Sequence, residues 1–158
     1  MAKILLGFMG AGKSTIARAL SADFLDMDEL IVQKIGMSIQ EYFAQYGEPA
    51  FRKIEAEVLA ECIQQDVVLS TGGGVVLSPQ NRELLAENVQ NIYLKADFET
   101  LFRRIEQDQD NQRPLYLTKS KADLQEIFEQ RQALYEAVAT QTIDVVGKTP
   151  QEIIEEIQ

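Results

Sequence analysis

Short apolar runs recur along the chain, and between them the hydrophobic positions return with helical spacing. Lys3–Phe8, Phe24–Asp28, Val67–Thr71, Asn91–Lys95 and Thr142–Val146 are too short for independent helices and read as strands, the first of them buried and parallel. The first helix is predicted from Lys13 to about Ala22. Glu29 to Gln65 is helical with two breaks, at Ile35-Gly36-Met37-Ser38 and at Tyr46-Gly47-Glu48-Pro49. Ser38-Ile39-Gln40-Glu41 has capping-box spacing, and Pro49 fits the first turn of a longer helix with the apolar face Phe51, Ile54, Val58, Leu59, Cys62 and Ile63. Ser78-Pro79 opens a helix to about Ala86, and Asp97 caps one that contains Phe98, Leu101, Phe102 and Ile105. A long helix runs from Lys121 to about Thr140, and Thr149-Pro150-Gln151-Glu152 is a capping box for a terminal one. Strand alternating with helix predicts an α/β fold: a five-stranded parallel sheet in a three-layer α/β/α arrangement, with ligands at the carboxyl ends of the strands.

The glycines cluster where the first strand hands over to the first helix. Gly7-Phe8-Met9-Gly10-Ala11-Gly12-Lys13-Ser14-Thr15 fits G-x-x-x-x-G-K-[ST] in the strand, turn, helix context that a P-loop requires. Its glycines let successive backbone N–H groups line an anion nest above the helix N-terminus, so Gly10, Ala11, Gly12, Lys13, Ser14 and Thr15 are the candidate nucleotide-binding residues. Lys13 would reach the β- and γ-phosphates of ATP and the Ser14 hydroxyl would ligate Mg²⁺.

Composition narrows the partners. A chain of 158 residues, 46% hydrophobic, makes one domain of ordinary size. Its formal charge of −10 argues against nucleic acid and anionic membrane as partners, so any phosphate site must be a local basic pocket. With one cysteine, Cys62, and no histidine, disulfides, Cys/His zinc sites and imidazole catalysis are excluded, and acid-base work falls to carboxylates. Met1-Ala2-Lys3 followed by Ile4 to Met9 superficially resembles a secretory leader, but cleavage would destroy the P-loop; the expectation is a cytoplasmic protein.

Asp26 and Asp28, two apart on the second strand, are predicted to project to one side beside the P-loop. One could organise the Mg²⁺ shell and the other orient and deprotonate an acceptor hydroxyl, although either could instead cap the helix beginning near Glu29. Arg131 falls inside the apolar stripe Leu124, Ile127, Phe128, Leu134, Tyr135 and Val138, and an inward cation needs an anion, either a structural carboxylate or a ligand. Arg52 lies beside core-facing Phe51, with Glu55 three residues on and able to brace it; the alternative is a solvated charge. Gly72-Gly73-Gly74 is either a flexible turn or a place where a small ligand meets bare backbone. Arg113-Pro114 closes the aperiodic polar segment that starts at Gln107, a position from which an arginine could swing onto a transferring phosphoryl group.

Together these segments match, in order, the D-x-D (Asp26-Met27-Asp28), F-R-x-x-E (Phe51-Arg52-Lys53-Ile54-Glu55), triple-glycine (Gly72-Gly73-Gly74), R-P-L (Arg113-Pro114-Leu115) and R-x-x-L-Y (Arg131-Gln132-Ala133-Leu134-Tyr135) motifs. Over nearly its whole length the chain resembles the shikimate kinase family, in the nucleoside-monophosphate-kinase branch of P-loop folds. The resemblance implies a single kinase domain with its core at 1–28, 66–106 and 121–158, a helical substrate-binding region at about 29–65 and a lid at about 107–120. It implies transfer of the ATP γ-phosphoryl to the 3-hydroxyl of shikimate, a step of chorismate and aromatic amino-acid biosynthesis. Asp28 would hold the reacting hydroxyl, while Arg52, Arg131 and Gly73, flanked by Gly72 and Gly74, would hold the substrate carboxylate and ring hydroxyls. Phe43 and Phe51 would flank the ring, Asp26 with Ser14 would hold Mg²⁺, and Lys13 and Arg113 would carry the transferred phosphoryl. Arg104 matches the family's adenine-contacting arginine once a gap is allowed before Arg113. Ala17 stands where the family often has glycine, and the link into the second strand is short; both lie away from the expected chemistry. A monomer is expected. A GTPase is disfavoured, since the chain lacks N-K-x-D and a D-x-x-G after its third strand. A gluconate-type or nucleotide kinase and a noncatalytic nucleotide-binding module are the remaining alternatives, which turnover with different acceptors separates.

Overall fold

The computed structural model describes residues 1–107 and 119–157. In chain order its elements are β1 (Lys3–Leu6), α1 (Lys13–Leu20), β2 (Leu25–Asp26), α2 (Met27–Ile35), α3 (Ile39–Tyr46), α4 (Glu48–Ile63), β3 (Val68–Ser70) and a 3₁₀ turn at Val75–Leu77. They continue with α5 (Pro79–Glu87), β4 (Gln90–Lys95), α6 (Phe98–Gln107), α7 (Lys121–Val138), β5 (Gln141–Asp144) and α8 (Pro150–Glu156). The expected lid at about 107–120 falls mostly on residues 108–118, so Arg113-Pro114-Leu115 lies outside the described residues.

The sheet has the order β2-β3-β1-β4-β5, with every neighbouring pair parallel. Each parallel pairing needs a crossover, which the intervening helices supply. Ile4, Leu5 and Leu6 of β1 and Ile92, Tyr93 and Leu94 of β4 are all buried, so side chains pointing to either face of the central strands are covered. Leu5 and Asp26 both pair with Ser70, which sets the ends of β1, β2 and β3 level. The P-loop, Asp26 and the triple glycine therefore leave the sheet at one edge, the carboxyl edge. At the opposite end, buried Asn91 donates to the carbonyls of Leu85 (2.7 Å) and Val138 (2.9 Å) and ties α5 and α7 to the start of β4.

The helix signals act as expected at most boundaries. Ser38 Oγ accepts from Glu41 N (3.1 Å), Asp97 Oδ2 from Thr100 N (3.0 Å), and Thr149 and Glu152 complete a capping box. Ser78 precedes α5 in an extended conformation but makes no side-chain cap. β1, β2, β3 and β5 are shorter than their apolar runs, whereas β4 begins one residue earlier than its run. The largest departure is at β2, which ends at Asp26, so that Asp28 lies in the first turn of α2. Asp26 and Asp28 are thus not alternate positions on a strand. The 3₁₀ turn after the triple glycine, closed by Val75 N to Gly72 O (3.2 Å) and Leu77 N to Gly74 O (3.0 Å), has no periodicity that would announce it. Among the described residues no helix is long and apolar enough to cross a membrane.

Candidate active site

The P-loop is built by steric necessity at its glycines. Gly10 has φ 87° and Gly12 φ 91°, conformations that a side chain would strain. Gly12 is also the N-cap of α1 and brings no side chain to its amides, which leaves the helix N-terminus suited to an anion. Lys13 folds back so that its Nζ donates to the carbonyls of Gly7 (2.5 Å) and Phe8 (3.2 Å). From α6, Arg104 Nη1 donates to Gly10 O (3.3 Å).

Asp26 does two jobs at once. Its Oδ1 accepts from Asp28 N (3.0 Å) and Glu29 N (3.4 Å) and caps α2, while its Oδ2 accepts from the Ser14 hydroxyl (3.1 Å). Ser14 Oγ is also 3.3 Å from Ser70 Oγ, at the buried end of β3. These oxygens form a compact set of hard donors, the chemistry that Mg²⁺ prefers.

The triple glycine is the centre of the remaining site, and its bareness is what lets four elements meet. A Cβ added at Gly72 would lie 3.0 Å from Asp28 Oδ1; at Gly73 it would lie 3.6 Å from both Arg131 Nη1 and Met9 N, and 3.7 Å from the Tyr135 hydroxyl. At Gly74 it would collide with Arg52, 2.6 Å from Nη2 and 2.7 Å from Nη1. Asp28 of α2, Arg52 of α4, Arg131 of α7 and the P-loop are thus drawn to one short segment.

The two arginines are held differently. Arg52 Nη1 donates to Glu55 Oε1 (3.0 Å), Glu55 Oε2 (3.1 Å) and Gly74 O (3.2 Å), and its Nε to Glu48 Oε1 (3.4 Å). Glu55 is almost wholly buried and also accepts from Asn81 Nδ2 (3.3 Å). Burial pushes its carboxyl above the ordinary glutamate range, with the charge and hydrogen bond of Arg52 pulling the other way. Arg131 is 7% exposed, its guanidinium 5.9 Å over the Phe8 ring, and among the described residues it has no carboxylate partner. Its Nε is buried without a hydrogen bond. Burial therefore holds Arg131 below the usual arginine range; Tyr135 works against the shift, and the positive charge of Arg52 adds to it. A cation in that state points to an anionic ligand rather than a structural ion pair.

Phe43 and Phe51 stack at 4.7 Å between centroids, and Phe51 lies under the Arg52 guanidinium at 5.2 Å, giving the arginine pocket an aromatic wall. Of the sequence-predicted residues, only Arg113 lies outside the described residues. Gly10 to Ser14, Asp26 and Arg104 gather on the phosphate side; Thr15 is exposed on α1. Asp28, Arg52, Gly72 to Gly74 and Arg131 gather on the acceptor side, beside Phe43 and Phe51. Sequence reading missed Ser70, Asn81 and Tyr135, whose hydroxyl donates to Gly73 O. Tyr135 sits in the same stripe as Arg131, so its polar tip was the available signal; Asn81, on a short helix after a proline, offered none.

The shikimate kinase family model matches residues 9–158. The shikimate kinase of Streptococcus gordonii is 56% identical over 159 residues, which cover 100% of this chain and 99% of that one. That of Streptococcus thermophilus is 48% identical over 97% of this chain and 96% of that one. A solved structure of shikimate kinase from Acinetobacter baumannii in complex with shikimate superposes with a TM-score of 0.89 at 33% identity, covering 98% of this chain and 89% of that one.

Proposed function

The chain belongs to the shikimate kinase family, and we infer that it transfers the γ-phosphoryl of ATP to the 3-hydroxyl of shikimate, giving shikimate 3-phosphate and ADP for chorismate and aromatic amino-acid biosynthesis. The observation that carries the acceptor is the convergence of Arg52, Arg131 and Asp28 on Gly72 to Gly74, next to a P-loop. Two guanidiniums converging beside the triple glycine suit a small carboxylate held bidentately.

In this reading Arg52 and Arg131 grip the substrate carboxylate, and Phe43 and Phe51 wall the ring. The backbone of Gly72 to Gly74 contacts the ring hydroxyls. Asp28 accepts the proton of the 3-hydroxyl as its oxygen attacks phosphorus. Lys13, once drawn off the loop carbonyls, and the P-loop amides stabilise the charge on the transferred phosphoryl and on the departing ADP oxygen. Arg113 would add to that charge, on the strength of its R-P-L motif alone. Arg104 would meet the nucleotide, a role supported by its seat on the P-loop at Gly10. Ser14 directly and Asp26 through water would hold Mg²⁺, supported by their all-oxygen setting with Ser70. The metal, when bound, neutralises phosphate charge. The reading takes 29–65 as the acceptor-binding region of a single domain and 107–120 as its lid. A cytoplasmic monomer without nucleic-acid or membrane partners accords with a net charge of −10.

ADP release from Mg-ATP, measured with shikimate, gluconate, AMP and no acceptor, tests the assignment. Shikimate-dependent turnover is the expected outcome; turnover with another acceptor alone would overturn the clamp reading, and ATP binding without turnover would favour a regulatory module. A second expectation concerns Gly74, whose φ of −94° suits any residue, so that Gly74→Ala leaves the backbone unstrained and strikes the Arg52 side chain first. Displacing that guanidinium by about 1 Å should lower kcat/KM for shikimate by roughly 100-fold with ATP KM unaltered. Unchanged shikimate kinetics would place Arg52 outside the binding site.

A further inference from the structure

We propose that Asn81 is a positioning residue for the acceptor site: it holds Glu55 and the backbone after Gly74 in the places from which they aim Arg52. The inference rests on the reading of Arg52 as a carboxylate clamp. Asn81 lies in the first turn of α5, wholly buried. Its Nδ2 donates to Glu55 Oε1 (3.3 Å) and to Val75 O (3.0 Å). Both partners are acceptors, so only the amide nitrogen can face them and the orientation of the side chain is determined.

That orientation leaves Asn81 Oδ1 buried without a partner, a cost that an apolar residue of the same volume would avoid. Packing alone therefore does not account for an asparagine here. The bonds explain it: Asn81 to Glu55, Glu55 to Arg52, Arg52 to Gly74 O, and Val75 O back to Asn81 form a closed ring. Through this ring α5 fixes the spacing between α4 and the glycine segment, and with it the direction in which the remaining Arg52 donors point. Glu55 faces Arg52 on its own helix, Asp28 from α2 and Arg131 from α7. Within that company the Asn81 donor favours the ionised carboxylate that Arg52 needs, against burial and against Asp28.

The test is steady-state kinetics of Asn81→Leu, Asn81→Asp and Arg52→Lys as a function of pH, with shikimate and ATP varied separately and folding checked by thermal unfolding. Asn81→Leu is expected to raise the shikimate KM by about 10- to 100-fold with ATP KM within about twofold, and to move the acid limb of kcat/KM for shikimate to higher pH. Asn81→Asp sets a second carboxyl against Glu55, and two buried carboxyls in contact share a proton. Its shikimate KM should fall toward the parent's at low pH, where the acid can replace one of the amide's two donated hydrogen bonds, and climb as pH rises. A shikimate KM for Asn81→Leu within about twofold of the parent, or equal rises for both substrates, overturns the proposal. Should that variant not fold, a pH-independent ratio of the Asn81→Asp KM to the parent KM overturns it. Arg52→Lys separates the two levels. No change in its shikimate KM brings down the clamp reading and this inference with it; a raised KM beside silent Asn81 variants brings down this inference alone.

Discussion

Asp28→Asn is expected to lower kcat by about 100- to 10,000-fold while ATP KM stays within about twofold. The substitution keeps the shape of the side chain and removes the ability to take a proton. Asp28 reaches the site from the first turn of α2, with its Oδ1 close against Gly72 and its backbone N–H bonded to Asp26 Oδ1. That backbone bond survives the change, so α2 keeps its cap and the Asp26 oxygen that faces Ser14 stays where it is. The phosphate side of the site is therefore insulated from the substitution, and the loss should fall on the chemical step. Initial rates over both substrates, with nucleotide binding measured separately, check this. An unchanged kcat would remove Asp28 from the chemistry, and an equal loss of ATP affinity would make it part of the metal shell.

Much of this was legible in the sequence because the relevant signals are local. The P-loop announces itself through glycine spacing, and the D-x-D, triple-glycine and R-x-x-L-Y segments each sit at the end of a strand or on one helix face. Parallel alternation then implies that they share an edge. Where reading by periodicity failed, the cause was a choice between two local structures. Phe24–Asp28 alternates like a strand, but Asp26 is a strong N-cap and the helix starts as soon as it can, which turns the second aspartate onto α2. Capping and facing the P-loop are also not exclusive for an aspartate, since a carboxylate has two oxygens and Asp26 caps α2 with Oδ1 while Oδ2 accepts from Ser14. Asn81 and Ser70 were illegible for a different reason: their importance lies in partners 26 and 56 positions away, and no spacing rule connects them.

Arg131→Met should stabilise the ligand-free protein and nearly abolish acceptor binding. Arg131 is largely removed from water, its Nε lacks a partner, and no carboxylate among the described residues pairs with it, so that Tyr135 and the charge of Glu48 offset the burial only in part. Replacing buried ionic groups by well-packed apolar residues of similar volume is often neutral or stabilising by about 1 to 4 kcal/mol, and a cation with no ion-pair partner has less to lose. In a domain of this size each kcal/mol corresponds to about 2 to 4 °C in Tm, so a rise of several degrees is expected without ligand. A thioether can retain the contact with the Phe8 ring over which the guanidinium lies. Methionine cannot meet a carboxylate, and the loss of a buried charged partner, about 2 to 5 kcal/mol, should weaken shikimate roughly 30- to 1000-fold or more. Thermal unfolding with and without saturating shikimate reads both effects at once. The parent should gain stability from the ligand and close or reverse the gap, whereas the variant should gain little. A variant less stable than the parent in the absence of ligand would mean that the guanidinium holds α7 to the core, and the pocket would then owe its positive charge to the fold before it owes it to the substrate.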